Sequence, residues 1–217
     1  MTSGIDRLGA LDKAFEFIYK SETDGDYCEF GVYQGVSLLR ALQADYKWRK
    51  QTNRRHVKRF FGFDSFLGLP PFKKGDQLEG YEVFKEGQFD DTNVEMVLQR
   101  ISEGGFKSDK IQLVSGLFSD TLTSPSVVEW FSNSVVSIAH IDCDLYSSAL
   151  DCLNFLDGRL ADGAILLFDD WFCFRGRRDC GVRAAFEYWS CKNKYRVTDY
   201  FPYSWAGKAF IVNTSDA

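Results

Sequence analysis

No stretch of this 217-residue sequence stays apolar for the roughly 20 residues a bilayer-spanning helix needs, so membrane-embedded classes drop out. Positive charge is also in short supply. Lys and Arg number 26 against 31 Asp and Glu, and the net charge of −5 excludes a general affinity for nucleic acid. Metal-type cysteine spacing is missing. Cys28, Cys143, Cys152, Cys173, Cys180 and Cys191 contain no C-x-x-C pair and no zinc pattern. Several of them lie in apolar runs, where Cys behaves as a small hydrophobe. The leading MTSGIDRLGALDKAF is too polar for a secretory signal, so a cytoplasmic protein with reduced thiols is expected. Internal repeats and low-complexity tracts are absent as well. What remains is ordinary globular composition, 45% hydrophobic and 26% charged, enough to bury one core in a single domain over residues 1–217. Aromatics are abundant, with 20 Phe, which implies a well-filled core or an aromatic-lined pocket.

The sequence is organised around residues 135–171, VVSIAHIDCDLYSSALDCLNFLDGRLADGAILLFDDW. Two apolar runs, 135–141 and 164–168, each end in aspartates: Asp142 and Asp144 after the first, Asp169 and Asp170 after the second. Between them Leu150, Leu153, Leu156 and Leu160 recur at helical spacing, closed by Gly163. A strand, a helix and a strand of this length form a βαβ unit with parallel neighbouring strands. Their carboxyl ends share one edge, where open α/β sheets bind ligands. Like charges gathered there repel, and a shared proton or a bound cation must relieve them. Carboxylate oxygens suit Mg²⁺ or Ca²⁺, so a divalent site is expected.

Upstream, Ile5, Leu8, Leu11, Phe15 and Ile18 mark an amphipathic helix. A strand at 27–30, a glycine turn at 31–35 and a helix from Ser37 to about Tyr46 follow. Strand, glycine turn and helix is a layout that points backbone N–H groups at a ligand. The spacing Glu29-x-Gly31-x-x-x-Gly35 is not that of a dinucleotide fingerprint. Residues 47–59 hold seven Lys or Arg and read as a solvated connection. A second strand, 59–63, ends in Asp64, the position where nucleoside-binding folds hold ribose hydroxyls. Residues 65–91, rich in Gly, Pro and aromatics, read as a lid loop. Thr92 and Glu95 form a capping box for a helix running to Glu103. Further strands are expected at 111–114, 196–200 and 209–212, with a helix at 182–189.

Together the segments CEFGVYQGVSL (28–38), FGFDSFLGLP (61–70), GLFSDTL (116–122), HIDCDLYSSALD (140–151) and GAILLFDDW (163–171) resemble class I S-adenosylmethionine-dependent methyltransferases. More narrowly, they are similar to the macrocin O-methyltransferase family, whose members methylate sugar hydroxyls on macrolide and related natural products. Catechol O-methyltransferases are a more distant likeness. The resemblance covers about residues 24–190. It implies a single Rossmann-like α/β domain, with a mostly parallel seven-stranded sheet and helices on both faces. It also implies that Glu29, Gly31, Tyr33, Gly35 and Ser37 surround the methionine end of the cofactor. Asp64 would bind the ribose, with Ser65 and Phe66 beside the adenine, and Gly116, Phe118 and Ser119 would border that ring. Asp142, Asp169 and Asp170 would hold Mg²⁺ or another divalent cation, with Asp142 touching both cofactor and metal and serving as general base. The chain begins closer to its first glycine motif than such relatives do, so a reduced N-terminal cap over the substrate is expected.

On this reading the protein is a metal-dependent O-methyltransferase acting on a small-molecule hydroxyl, a sugar or a sugar-bearing natural product. Neither nucleic acid nor membrane is a partner, and the oligomeric state, a homo-oligomer included, is left open. A Mg-dependent phosphoester hydrolase and a non-catalytic nucleoside-binding module are the competing readings. His140, two residues before Asp142 on the same strand face, reads as a buried, hydrogen-bonded packing residue rather than a catalyst. Asp144 is a helix N-cap or a partner of the other acids. Tyr146 and Trp171 fit acceptor contact or packing. Arg175, Arg177 and Arg178 fit solvated loop charges or contacts to an anionic acceptor.

Overall fold

The computed structural model describes residues 4–193 and 195–214. Five strands run parallel: β1 (Gly25–Phe30), β2 (Val57–Asp64), β3 (Ile111–Ser115), β4 (Val136–Ile141) and β5 (Leu160–Phe168). Two more, β6 (Arg196–Tyr203) and β7 (Gly207–Asn213), form an antiparallel hairpin whose β7 arm pairs with β5. The sheet order is β3-β2-β1-β4-β5-β7-β6. The chain therefore steps outward from β1 to β3, then returns to lay β4 on the other side of β1. That reversal opens a crevice at the carboxyl ends of β1 and β4.

Neighbouring residues along each central strand enter opposite cores, as the two-residue period of a strand requires. Tyr27, Phe60, Ile138 and Ile165 pack on one face, under α1 (Arg7–Ser21), α2 (Val36–Thr52) and α3 (Val94–Glu103). Cys28, Phe61, Ala139 and Leu166 pack on the other. There they meet α4 (Phe118–Thr121), α5 (Pro125–Trp130), α6 (Tyr146–Leu156) and α7 (Gly181–Lys192). With both faces covered, β1 and β4 are buried at every position; β4 is mostly apolar, whereas β1 also buries Asp26 and Glu29, paired with Arg59 and with the Ser37 and Tyr27 hydroxyls.

Three local expectations are corrected. The helix drawn from Leu150 through Leu160 ends at Leu156. Asp157 leaves helical geometry and Gly158 turns at φ 72°, so Leu160 opens β5 opposite Val136 and Gly163 lies within that strand. Spacing alone fits Leu160 to either element. The helix drawn to Tyr46 continues through Thr52 and stops at Asn53 (φ 54°), so the front half of the basic run is helical. Four of its seven charges are paired: Arg49 with Asp45, Arg54 with Glu22, Lys58 with Asp24 and Arg59 with Asp26. Thr92 does not cap α3. Asn93 does, accepting the Met96 amide at 2.9 Å, while the Thr92 hydroxyl donates to the Tyr33 carbonyl. The short α5, opened by Pro125 at its first turn, had no periodicity long enough to announce it.

Candidate active site

Two backbone features build one wall of the site. Gly31 follows β1 at φ 93°, and a Cβ there would lie 1.8 Å from the Asp142 carbonyl oxygen. Only glycine lets the ends of β1 and β4 approach so closely. Gly35 (φ 75°) turns the chain into α2, whose first turn has no side-chain cap. Val36 and Ser37, in that uncapped first turn, line a cavity of about 470 Å³. That volume is within the range of small-molecule sites. Asp64, at the end of β2, accepts the Tyr33 amide at 2.7 Å on one oxygen and the Phe66 amide at 2.8 Å on the other. It also lines the cavity, with Ser65, Gly116, Phe118 and Ser119.

The acidic edge lies beside it. Ligand atoms of His140, Asp142 and Asp169 come within 4.8 Å of one another, whereas Asp170 stands outside that group. Asp169 is the hub. Its Oδ1 accepts from His140 Nε2 at 2.8 Å and the Tyr203 hydroxyl at 2.6 Å, and its Oδ2 from Arg7 at 3.3 Å. Arg7 also reaches Asp142 Oδ2 at 2.7 Å. Burial would raise the Asp169 pKa, yet His140, Tyr203 and Arg7 outweigh it and hold this carboxyl below its ordinary value. Burial would likewise strip the charge from His140, but Asp169 and Glu29 reverse that and keep the imidazole protonated well above its usual range.

The remaining acids are less well compensated, Asp142 having only the Arg7 contact. Burial, then the charges of Asp169 and Asp170, push Asp142 well above the carboxylate range. Burial with Asp170 and Asp142 does the same to Asp144. Asp170 is raised to about 6 by burial and by Asp169. Its Oδ1 meets only the Cys173 thiol at 3.4 Å, and its Oδ2 is buried with no hydrogen-bond partner among the described residues. Fully ionised, the edge would carry more negative charge than Arg7 and His140 offset, and that repulsion adds to burial in raising these carboxyls. The donors suit a hard cation: Asp142 and Asp169 offer carboxylate oxygens close together, and Asp170, outside that group, has one oxygen without a partner among the described residues.

Residues 65–91 cover the cavity without forming a helix or a named strand. Leu69 and Gln88 pair at their base, and Leu69, Pro70, Pro71, Lys73, Gln88 and Phe89 line the cavity wall. Farther out, Leu78, Tyr81 and Phe84 pack on Cys173, Phe174, Cys180 and Ala206. Asp76 is buried and accepts both the amide and the hydroxyl of Ser147 at the start of α6. The basic loop that follows β5 braces this arrangement. Arg175 donates to the Gly80 carbonyl at 3.0 Å, Arg177 pairs with Asp179, and Arg178 with Glu187. None of the three lines the cavity.

Comparison with known proteins bears on this geometry directly. The sequence matches the family described as Macrocin-O-methyltransferase (TylF) over residues 1–194. The chain belongs to the macrocin O-methyltransferase family. It is 26% identical over 174 residues to an 8-demethyl-8-(2,3-dimethoxy-alpha-L-rhamnosyl)-tetracenomycin-C 4'-O-methyltransferase from Streptomyces olivaceus, covering 77% of this chain and 61% of that protein. A demethyldecarbamoylnovobiocin O-methyltransferase from Streptomyces niveus is 23% identical over 176 residues, with the same coverage. The chain thus spans about three-fifths of the length of these curated relatives. Among solved structures, the calicheamicin methyltransferase CalS11 shares the fold at a TM-score of 0.71, with 20% identity over 94% of this chain and 77% of that one.

Of the residues the sequence assigns to a cofactor of this macrocin O-methyltransferase-family chain, Gly31, Tyr33, Ser37, Asp64, Ser65, Gly116, Phe118, Ser119 and Asp142 all line the cavity. Glu29, Gly35 and Phe66 do not. Glu29 is fully buried, held by the Ser37 hydroxyl at 2.7 Å and by the Tyr27 hydroxyl, and Gly35 abuts Val97 of α3. Asp169 and Asp170 stand behind the cavity wall rather than in it. Asp144 is not a helix cap, since Leu145 holds that place. Its backbone is left-handed (φ 63°), and its carboxylate lines the cavity with no hydrogen-bond partner among the described residues. His140 is buried and hydrogen-bonded, and its partner is the carboxylate of Asp169. Trp171 packs among Phe168, Phe186 and Phe210, and Tyr146 lies against Gly75. Two contributors escaped the sequence reading: Arg7 and Asp76. An arginine in the first turn of a helix opposes the helix dipole, and that was the available signal for Arg7.

Proposed function

We propose that the chain transfers a methyl group from S-adenosylmethionine to a hydroxyl of a sugar or sugar-bearing small molecule, with a divalent cation at the acidic edge. The observation that carries this is one cavity sharing the uncapped start of α2, Asp64 and Asp142 in a chain of this family. The similarity to an O-methyltransferase acting on a rhamnosyl-tetracenomycin supports the sugar acceptor, and that to a demethyldecarbamoylnovobiocin O-methyltransferase supports O-methylation of a small molecule.

In this reading Asp64 takes the ribose hydroxyls on lone pairs left free by the Tyr33 and Phe66 amides. Phe118 and the Ser65–Phe66 turn border the adenine. The first turn of α2 and Gly31 meet the amino-acid end. Asp142, Asp169 and Asp170 would hold Mg²⁺, which would lower the pKa of an acceptor hydroxyl and orient it. The hydroxyl proton passes to a carboxylate oxygen as the C–O bond forms and the methyl–sulfur bond breaks. Asp142 is the proposed base. Asp144, with no partner of its own in the cavity, is the second candidate, and the pair Asp142→Asn and Asp144→Asn separates them by which loses turnover with metal binding retained.

The deciding experiment combines S-adenosylmethionine titration by calorimetry with a methyl-transfer screen over glycosylated and nucleotide-linked sugars. EDTA should abolish turnover and leave cofactor binding nearly unchanged; turnover surviving full metal removal would refute the metal. Absence of cofactor binding would favour a hydrolase or a non-catalytic module instead.

A further inference from the structure

We propose that Arg7 is a tethered counter-cation that occupies the gap between Asp142 and Asp169 and has to leave when a divalent ion enters. The inference rests on the divalent-site reading and names the residue of this chain that competes with the ion.

Arg7 sits at the first position of α1, where the helix dipole disfavours positive charge. Something else must hold it there. The segment before it is fixed at both ends of a short span. Ser204, in the turn between β6 and β7, donates its amide to the Ile5 carbonyl at 2.6 Å, and Asp6 caps α1 by accepting the Gly9 amide at 2.7 Å. From that anchor the guanidinium spans the two acids, at 2.7 Å from Asp142 Oδ2 and 3.3 Å from Asp169 Oδ2. Any ion bridging Asp142 and Asp169 would need one or both of those oxygens, and two cations on one carboxylate pair repel.

Arg7 is also an incomplete answer to the cluster. It leaves the Asp170 Oδ2 atom without a partner, and a compact ion can draw in a third carboxylate where a single guanidinium nitrogen cannot. The arginine side chain is 43% exposed, so it can swing into solvent without unfolding anything. Because Arg7 lines the cavity, its departure would also widen the mouth beside Asp142. The cluster is thus neutralised in part at all times, first by the arginine and then by the ion. Ion binding and acceptor access become linked through one side chain.

The test is Mn²⁺ binding, followed by electron paramagnetic resonance of the free ion, for the full chain, Arg7→Gln, Arg7→Lys and the charge control Arg177→Gln, all checked for matching thermal melts. Competition predicts that Arg7→Gln binds Mn²⁺ at least about tenfold more tightly than the parent, with Arg7→Lys between them. Arg177, paired with Asp179 away from the cavity, should leave the affinity within about twofold when replaced. A parent that fails to bind while Arg7→Gln binds supports the proposal in its strongest form. Equal affinities for parent and Arg7→Gln would overturn it and leave the divalent site standing. Absence of Mn²⁺ binding in every form would overturn both.

Discussion

Asp64 already holds two backbone amides, one on each oxygen, so the strand end and the 65–91 segment are locked to the same carboxylate that faces the cavity. Asp64→Ala should weaken S-adenosylmethionine binding by more than about tenfold, given the ~1.5–3 kcal/mol of a hydrogen bond to a charged group, and calorimetry reads it. Asp45 poses the opposite question, a buried acid away from any ligand. It accepts the Tyr19 hydroxyl at 2.6 Å and faces Arg49 at 3.5 Å, yet burial dominates and raises its pKa. A folded-state pKa above the unfolded value contributes stability that is present at low pH and lost as pH rises through it. Asp45→Asn should therefore gain on the parent as pH climbs from about 4 to about 7, the gap in melting temperature widening with pH. A gap that narrows would show that Arg49 outweighs burial.

Elements in this protein are finished by distant side chains. The start of α6 has no side-chain cap of its own, and Asp76, 71 residues earlier, supplies one by accepting the Ser147 amide at 2.7 Å and hydroxyl at 2.8 Å. A carboxylate at a helix N-terminus also suits the dipole. Asp76→Ala should cost about 0.5–2 kcal/mol, as lost caps do. It should also loosen the covering segment, so trypsin should cut at Lys73, Lys74 and Lys85 faster than in the parent. Unchanged cleavage would mean that the Leu78, Tyr81 and Phe84 cluster alone holds the segment down. The Thr92–Glu95 pattern illustrates the same limit from the other side. A capping box was legible there, but the Tyr33 carbonyl claimed the threonine hydroxyl and moved the cap to Asn93.

At the scale of the whole molecule, the reversal between β1 and β4 sets the cavity and the acidic edge side by side. A ligand bridging that crevice ties β1, β2 and β4 together, so occupancy should show as global stability. S-adenosylhomocysteine at a hundredfold excess over its Kd should add about 2.7 kcal/mol, roughly a 5–10 °C rise in melting temperature for a chain of this size. No rise at that ratio would count against a preformed cofactor site. Among the described residues no helix is long and apolar enough to cross a membrane.

Much of this was settled by the sequence. Strands buried on both faces favour apolar residues, so β4 and most of β5 were legible as runs, and their ends as aspartates, while β1, which buries Asp26 and Glu29, was legible mainly from the glycine turn after it. Glycines at Gly31 and Gly35 announced a turn because positive φ is open to few other residues. Tertiary structure alone decided which charge meets which. Arg7 reaches Asp142 across 135 residues, His140 donates its proton to Asp169, and Ser37 with Tyr27 draws Glu29 away from the cavity it was expected to line. Local patterns fix what a segment becomes, whereas partners across a sheet depend on strand order, which places side chains far apart in sequence within a few ångströms of each other.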